Sequence, residues 1–471
     1  MAGTLSCDVA VIGAGTAGLA AERAARGNGA TTLLIDPSFA GTTCAQVGCM
    51  PSKLLIAAAR AAHDARAARA FGIEVDAVRV DGPAVMRRVQ EERDRFARLT
   101  RDSIEDIPEG IRISACARFA GPNRLALDDG REVEAKTIVI ASGSTPALPG
   151  PFADLGERVL TNQTVFEIED LPKRLAVVGS GSIGLELAQA FARLGVEVAL
   201  FDRETQMAKM RCERVHDTLR TIIEREMDLH LGVDVEPERT ETGVKVKWTG
   251  EGDQGEAEYD LLLAALGRPP SLDGLGLDNS GLDLDADGVP CHDRRTMRCG
   301  ASNIFIAGDV ASDLPLLHEA SHDGAIAGRN AAAFPAQVET ERYAPFSIVF
   351  TDPPIVTVGK AEGDGAVTGV TDFSDQGRAR VENDDEGTLT LYASAPHGTL
   401  IGADLVAPGG EHLGHLLCWA IEQGLTATQL LEMPFYHPTL EEGLKTALRT
   451  ICKATPIELP ESQDKGTPPG G

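Results

Sequence analysis

The chain has 471 residues, with 44 Lys and Arg against 71 Asp and Glu, and a formal net charge of -27. Nucleic acid and anionic membrane surfaces would repel such a chain, so neither is expected as a partner. Nine scattered cysteines do not make a secreted disulfide framework, and no long apolar stretch reads as a leader or a membrane span; a cytoplasmic enzyme of several domains is expected.

The first element is a strand, Val9 to Ile12, leading into Gly13-Ala14-Gly15-Thr16-Ala17-Gly18. This is a dinucleotide fingerprint. Gly13 makes the tight turn, Gly15 lets a diphosphate approach the backbone, and Gly18 allows close helix–strand packing. The following helix directs its N-terminus at the phosphates. Leu33-Leu34-Ile35 is the second strand, and it ends at Asp36, whose carboxylate suits a pair of ribose hydroxyls.

Cys44 and Cys49 follow almost at once, in Gly41-Thr42-Thr43-Cys44-Ala45-Gln46-Val47-Gly48-Cys49-Met50-Pro51-Ser52-Lys53. Two isolated cysteines are often buried hydrophobes or half of a metal site, but no second Cys or His pair nearby completes a tetrahedral set. Pro51 suits a first helical turn, and Ser52 to Ala70 is rich in Ala, Leu and Arg. A helix starting near Met50 places Cys49 at its positive end, which favours a thiolate. A dinucleotide fingerprint running into such a pair points to a flavin that exchanges electrons with a disulfide.

A second fingerprint occupies residues 179–184. Leu175 to Val178 leads into Gly179-Ser180-Gly181-Ser182-Ile183-Gly184, and the next strand, Val196 to Phe201, ends at Asp202. Gly13 to Asp36 and Gly179 to Asp202 have the same spacing, so the nucleotide-binding unit is repeated. Two units imply two dinucleotides, one held and one exchanged. Asp202 would repel a 2′-phosphate, so NAD is expected in the second; Arg203 and Arg211 are the residues that argue for NADP.

Further along, Ile304-Phe305-Ile306-Ala307-Gly308-Asp309 reads as a strand returning to the first sheet, and 318–334 as an Ala-rich helix. His318 and His322 lie four apart on it without a zinc motif, and no metal is expected. Strands are expected around 353–358 and 387–392, and helices over 410–423 and 441–451. Thr439 and Glu442 have capping-box spacing.

Taken together, these motifs resemble the FAD-dependent pyridine nucleotide–disulfide oxidoreductases, most nearly the dihydrolipoyl dehydrogenase branch. The resemblance spans about residues 7 to 452. It includes the Cys44–Cys49 segment, Gly184-Leu185-Glu186, Gly267-Arg268-Pro269-Pro270, Gly308-Asp309 and His437-Pro438-Thr439-Leu440-Glu441-Glu442. It implies FAD and NAD as cofactors. Cys49 would lie near the flavin and Cys44 would be the exchange sulfur. Lys53 and Glu186 would pair beside the flavin ring. Ser142, Gly143, Gly308 and Asp309 would lie along the FAD, with Asp309 on its ribityl chain. Gly179, Gly181, Gly184, Asp202 and Gly267 would hold NAD. His437 of the partner subunit of a homodimer would be the acid–base, oriented by Glu442.

The implied fold is α/β, with two Rossmann-like three-layer domains and a C-terminal α+β dimerisation domain. The expected division is 1–150 with 276–344 for FAD, 151–275 for NAD, 345–460 for the interface, and a disordered tail over 461–471. The implied activity is oxidation of dihydrolipoamide on a lipoyl-bearing protein. The alternative is an NAD(P)H-dependent reductase of another disulfide or of a metal ion. Two departures concern specificity: Ser182 replaces a bulky aromatic gate, and Phe435 stands where the branch often has a histidine.

Overall fold

A computed structural model describes residues 3–363 and 365–455; the expected tail at 461–471 lies outside them. Its first sheet is built on strand Thr4–Ile12, flanked by Thr32–Asp36 and Glu132–Ile140, with Arg112–Ser114 and Ile304–Ile306 outside these, all parallel. Parallel strands are covered on both faces, which is why Val9, Ala10 and Val11 form an unbroken apolar run and are fully buried. Each buried Val or Ile contributes about 1.5–3 kcal/mol. Helices Thr16–Gly27 and Leu317–Ala333 pack together on this sheet.

The second sheet repeats the plan. Strand Arg174–Val178 lies between Glu197–Asp202 and Leu261–Ala264, with Asp228–Leu231 and Val159–Leu160 at the edges, again all parallel. A three-stranded antiparallel sheet, Val233–Arg239, Val244–Gly250 and Gln254–Tyr259, is packed beside it around Phe201 and Tyr259.

The third sheet is antiparallel, in the order Phe346–Val349, Ile355–Gly359, Thr399–Val406, Thr388–Ser394, Val367–Asp372. Helices Gly410–Glu422 and Leu444–Ala454 bury their apolar sides on it. The second of these helices starts later than the periodicity suggests. Leu440–Gly443 is a separate 3₁₀ turn, and the α-helix begins at Leu444. No helix among the described residues is long and apolar enough to cross a membrane.

Candidate active site

The two fingerprints have the same atomic construction. Gly13 N–H donates to Ile35 O at 2.8 Å, and Gly179 N–H to Phe201 O at 2.7 Å. Gly13 has φ +101° and Gly179 φ +108°, and a Cβ on either would sit 2.4 or 2.3 Å from the oxygen of Ala141 or Ala265. Gly18 and Gly184 are equally constrained, each with room for a Cβ only 1.8 Å from the oxygen of the turn glycine. A Cβ on Gly15 or Gly181 instead meets open space within 4 Å, the approach that a diphosphate needs. The chain therefore fits a dinucleotide at each turn.

The acids at the strand ends hold these turns as well. Asp36 Oδ2 accepts from Ala14 N–H at 2.9 Å, and its Oδ1 accepts from Ser38 and Phe39. Asp202 Oδ2 accepts from the N–H and Oγ of Ser180 at 2.5 and 2.6 Å, and its Oδ1 from Glu204 N–H. Arg211 is withdrawn from this site. Its guanidinium is 2.9 Å from Asp404 and donates to the carbonyls of Val358 and Gly359. Arg203 is exposed and pairs with Asp234 at 2.8 Å.

The cysteines lie on two successive helices. Thr42 Oγ1 caps the short helix Thr43–Gln46, which carries Cys44, and Cys49 opens helix Cys49–Ala67. The helix therefore starts one residue before Met50. No disulfide joins the two in this structure, and each sulfur acts on the titration of the other. Hydrogen bonding to the Cys44 thiol pulls Cys49 down to about 6, against the opposing effect of burial and with help from the Lys53 charge. Cys44 is pushed well above the ordinary thiol range by donating to Cys49 and by burial. The favoured reduced form is a Cys49 thiolate beside a Cys44 thiol.

Lys53, one turn along the same helix, reaches Glu186 on helix Ser182–Arg193. Its Nζ is 2.9 and 2.7 Å from the two carboxylate oxygens. The third domain completes this pair. Phe350 N–H donates to Glu186 Oε1 at 2.9 Å, and its ring lies 4.3 Å from Lys53 Nζ. Gln189 and Arg193, on the same face of that helix, bind the neighbouring Asp352. Phe350 and this docking face carry no sequence signal, because their partners are more than 150 residues away.

Asp309 Oδ2 accepts from Ser144 Oγ at 2.7 Å, so the Gly308-Asp309 turn meets the segment containing Ser142 and Gly143. Ser142 Oγ donates to Ser271 O, and Gly308 N–H donates to buried Asp323. Gly267 has φ +103° and nothing within 4 Å of a built Cβ.

His437 Nδ1 lies 2.9 Å from Glu442 Oε2, and the same oxygen accepts from Thr439 N–H at 3.3 Å. Glu442 thus both caps the 3₁₀ turn and holds the imidazole. Lys445, which the sequence reading missed, is 3.0 Å from Glu442 Oε1. Burial acts to raise the Glu442 pKa, but the Lys445, His437 and Thr439 hydrogen bonds outweigh it and hold the carboxyl below its usual range. The His437 side chain is 60% exposed. Among the described residues no hydrogen bond or ion pair joins it to Cys44 or Cys49.

Two dinucleotide turns and two cysteines carried on successive helices define a nucleotide-dependent thiol redox enzyme. A model of the pyridine nucleotide-disulphide oxidoreductases matches residues 7–324, and a model of their dimerisation domain matches 346–448. The chain belongs to the pyridine nucleotide-disulphide oxidoreductase family, whose cofactors are FAD and NAD. A dihydrolipoyl dehydrogenase of Haloferax volcanii is 33% identical over 468 residues, covering 93% of this chain and 95% of the relative. One of Chlamydia muridarum is 31% identical, covering 97% and 99%. Among solved structures, the HOCl-induced flavoprotein disulfide reductase RclA of Escherichia coli is similar with a TM-score of 0.79. It is 25% identical in its Cu(II) complex and 24% in the structure without it, each covering 94% of this chain and 99% of its own.

Proposed function

We propose that this protein is a dihydrolipoyl dehydrogenase, acting in the cytoplasm as a homodimer on a lipoyl-bearing protein. The observation that carries the reading is the placement of Cys44 and Cys49 on two successive helices, with the Lys53–Glu186 pair one turn on, in a chain similar over nearly its full length to enzymes of that name. In the disulfide form of Cys44 and Cys49, a dihydrolipoamide thiolate attacks Cys44 Sγ and expels Cys49 as thiolate. The Lys53 charge and the N-terminus of helix Cys49–Ala67, both of which remain when Cys44 is in the mixed disulfide, favour Cys49 as the leaving thiolate. The second lipoyl thiol then attacks its own mixed-disulfide sulfur, and Cys44 leaves, taking up a proton that its raised pKa retains. His437 of the partner subunit removes the lipoyl thiol protons, with Glu442 fixing its tautomer. FAD, when bound, supplies the route by which the electron pair passes from the thiols to NAD⁺ as hydride.

The remaining groups take the roles that the family's motifs imply. Gly13, Gly15, Gly18, Asp36, Ser142, Gly143, Gly308 and Asp309 would hold FAD. Gly179, Gly181, Gly184, Asp202 and Gly267 would hold NAD. Lys53 and Glu186 would set the charge beside the flavin ring. The division into residues 1–150 with 276–344, 151–275, and 345–460 is proposed with it. The strand pairing of Ile304–Ile306 with Glu132–Ile140 supports the discontinuous first unit.

A second reading is an NAD(P)H-dependent reductase of another disulfide or of a metal ion; the 25% identity to the Cu(II) complex of RclA, a flavoprotein disulfide reductase, supports its disulfide part. A steady-state panel separates the two. It compares dihydrolipoamide with NAD⁺, dihydrolipoamide with NADP⁺, and glutathione disulfide with NADH or NADPH. The first pair is expected to give the highest kcat/KM. Turnover confined to the nucleotide-driven reductions would reject the dehydrogenase reading.

A further inference from the structure

The chain passes between the two nucleotide-binding sheets at 143–147 and returns at 267–271. These crossings lie side by side. Ser271 N–H donates to Gly143 O at 2.9 Å, Thr145 N–H to Pro269 O at 3.1 Å, and Ala147 N–H to Gly267 O at 2.9 Å. Arg268 extends from the returning segment. It donates through Nε to Ser144 Oγ at 3.1 Å and through Nη2 to Ser144 O at 2.6 Å. Its third donor, Nη1, reaches Asn162 Oδ1 at 2.8 Å.

Asn162 is 5% exposed, and its Nδ2 donates to Val47 O at 2.8 Å. Val47 lies in the turn between Cys44 and Cys49. That turn is tight, since a Cβ on Gly48 would lie 3.0 Å from Thr43 O and 3.3 Å from Cys44 Cα. The amide has one workable orientation. Reversed, it would set its oxygen against the Val47 carbonyl and its NH₂ against a guanidinium, which has no acceptor. At the other end, Ser144 Oγ accepts from Arg268 and donates to Asp309 Oδ2 at 2.7 Å. An unbroken series of hydrogen bonds thus joins the cysteine turn, the inter-domain crossing and Asp309.

We propose that Asn162 and Arg268 are positioning residues for thiol exchange: they hold the Val47 carbonyl, and so the turn that presents Cys44 to Cys49, on the inter-domain crossing. Arg268 is fixed by two bonds to Ser144 and spends its third donor on Asn162. Among the described residues, Asn162 is the side chain whose hydrogen bonds link Arg268 to the redox turn. Without the Nδ2 donor, Val47 O loses its partner, and the turn is free to move the Cys44 thiol out of line with Cys49. The nucleotide turn at Gly179 and Asp202 is untouched by this change.

The proposal rests on Cys44 and Cys49 being the exchange pair, but its test does not depend on the identity of the dithiol substrate. Asn162→Ala and Asn162→Asp are prepared as FAD-loaded full-length protein. Aspartate keeps an acceptor for Arg268, replaces the donor to Val47 by an oxygen, and adds a negative charge, so alanine, which adds none, is the control for that charge. The reduced proteins are alkylated with iodoacetamide across pH, and each cysteine is followed by mass spectrometry. In parallel, NADH oxidation by ferricyanide is measured per bound FAD, a reaction that bypasses the thiols.

In both variants Cys49 alkylation near pH 6.5 is expected to fall roughly tenfold, because loss of alignment with Cys44 returns Cys49 toward an ordinary thiol. Ferricyanide reduction is expected to stay within about twofold of wild type, since the cofactor sites are intact. If alanine does not fold, aspartate decides. A wild-type Cys49 titration in Asn162→Asp overturns the proposal. So does a parallel fall of ferricyanide reduction and FAD content, which marks Asn162 as a general structural residue.

Discussion

Lys53 and Glu186 are 133 residues apart and belong to different nucleotide-binding units, yet Lys53 Nζ lies within 3 Å of both carboxylate oxygens. The pair is closed by a third unit, through the Phe350 N–H on Glu186 and the Phe350 ring against Lys53. One ion pair therefore joins all three parts of the chain at the helix that Cys49 opens.

Replacing Lys53 by Met removes a positive charge that would favour the reduced, more negative flavin. The flavin potential is expected to become more negative by about 30 mV, the two-electron equivalent of ~1.4 kcal/mol. Spectroelectrochemical titration of the FAD-loaded variant measures this. An unchanged potential would place Lys53 away from the flavin ring.

Cys44→Ser and Cys49→Ser should each retain FAD and lose nearly all dihydrolipoamide turnover. The two should differ as free thiols. Cys49 in Cys44→Ser keeps the Lys53 charge and the start of its helix, and is expected to alkylate faster near neutral pH than half-buried Cys44 in Cys49→Ser. Wild-type turnover in both variants would refute a redox role for the pair.

NAD⁺ is expected to be preferred over NADP⁺ by roughly tenfold or more in kcat/KM, because a 2′-phosphate would meet the Asp202 carboxylate. Of the two arginines that argue for NADP, Arg211 is committed to Asp404 and two carbonyls of the third unit, and Arg203 pairs with Asp234 at the surface. Comparison of the two nucleotides at fixed dithiol concentration checks this, and a higher value for NADP⁺ contradicts it.

Mixed dimers test the shared site. Cys44→Ser and His437→Gln chains are each expected to be inactive. After controlled dissociation and reassociation, each heterodimer should contain one intact composite site and recover up to about half of wild-type activity, by symmetry. Verified heterodimers that stay inactive, with FAD bound and both parents folded, would exclude a histidine contributed across the interface.

The Glu442 carboxyl has a folded-state pKa below its ordinary value. Its stabilising contribution is therefore complete above the unfolded carboxyl range and is lost as pH falls through the lower folded value. Denaturant midpoints measured from pH 7 down to the acid limit should fall more steeply for wild type than for Glu442→Gln. Identical slopes would mean that Lys445 and His437 do not stabilise the charged form.

The sequence by itself determined the two nucleotide turns and the thiol pair. Gly13, Gly18, Gly179 and Gly184 leave no room for a Cβ, so the residue type and its spacing report the backbone directly. Asp36 and Asp202 are equally legible, standing 23 residues after the turn glycines at the end of the next strand. Cys44, Cys49 and Pro51 are read from local helix chemistry, and the Thr439–Glu442 contact from one turn of chain. Only the tertiary structure decided that Arg211 serves the third unit, that Phe350 closes the Lys53–Glu186 pair, and that Asn162 holds Val47 for Arg268. Local spacing constrains groups that share a turn or a helix. These other contacts join groups about 100 residues apart or more, and they exist because packed sheets and their crossings bring distant backbone together, which no local pattern encodes.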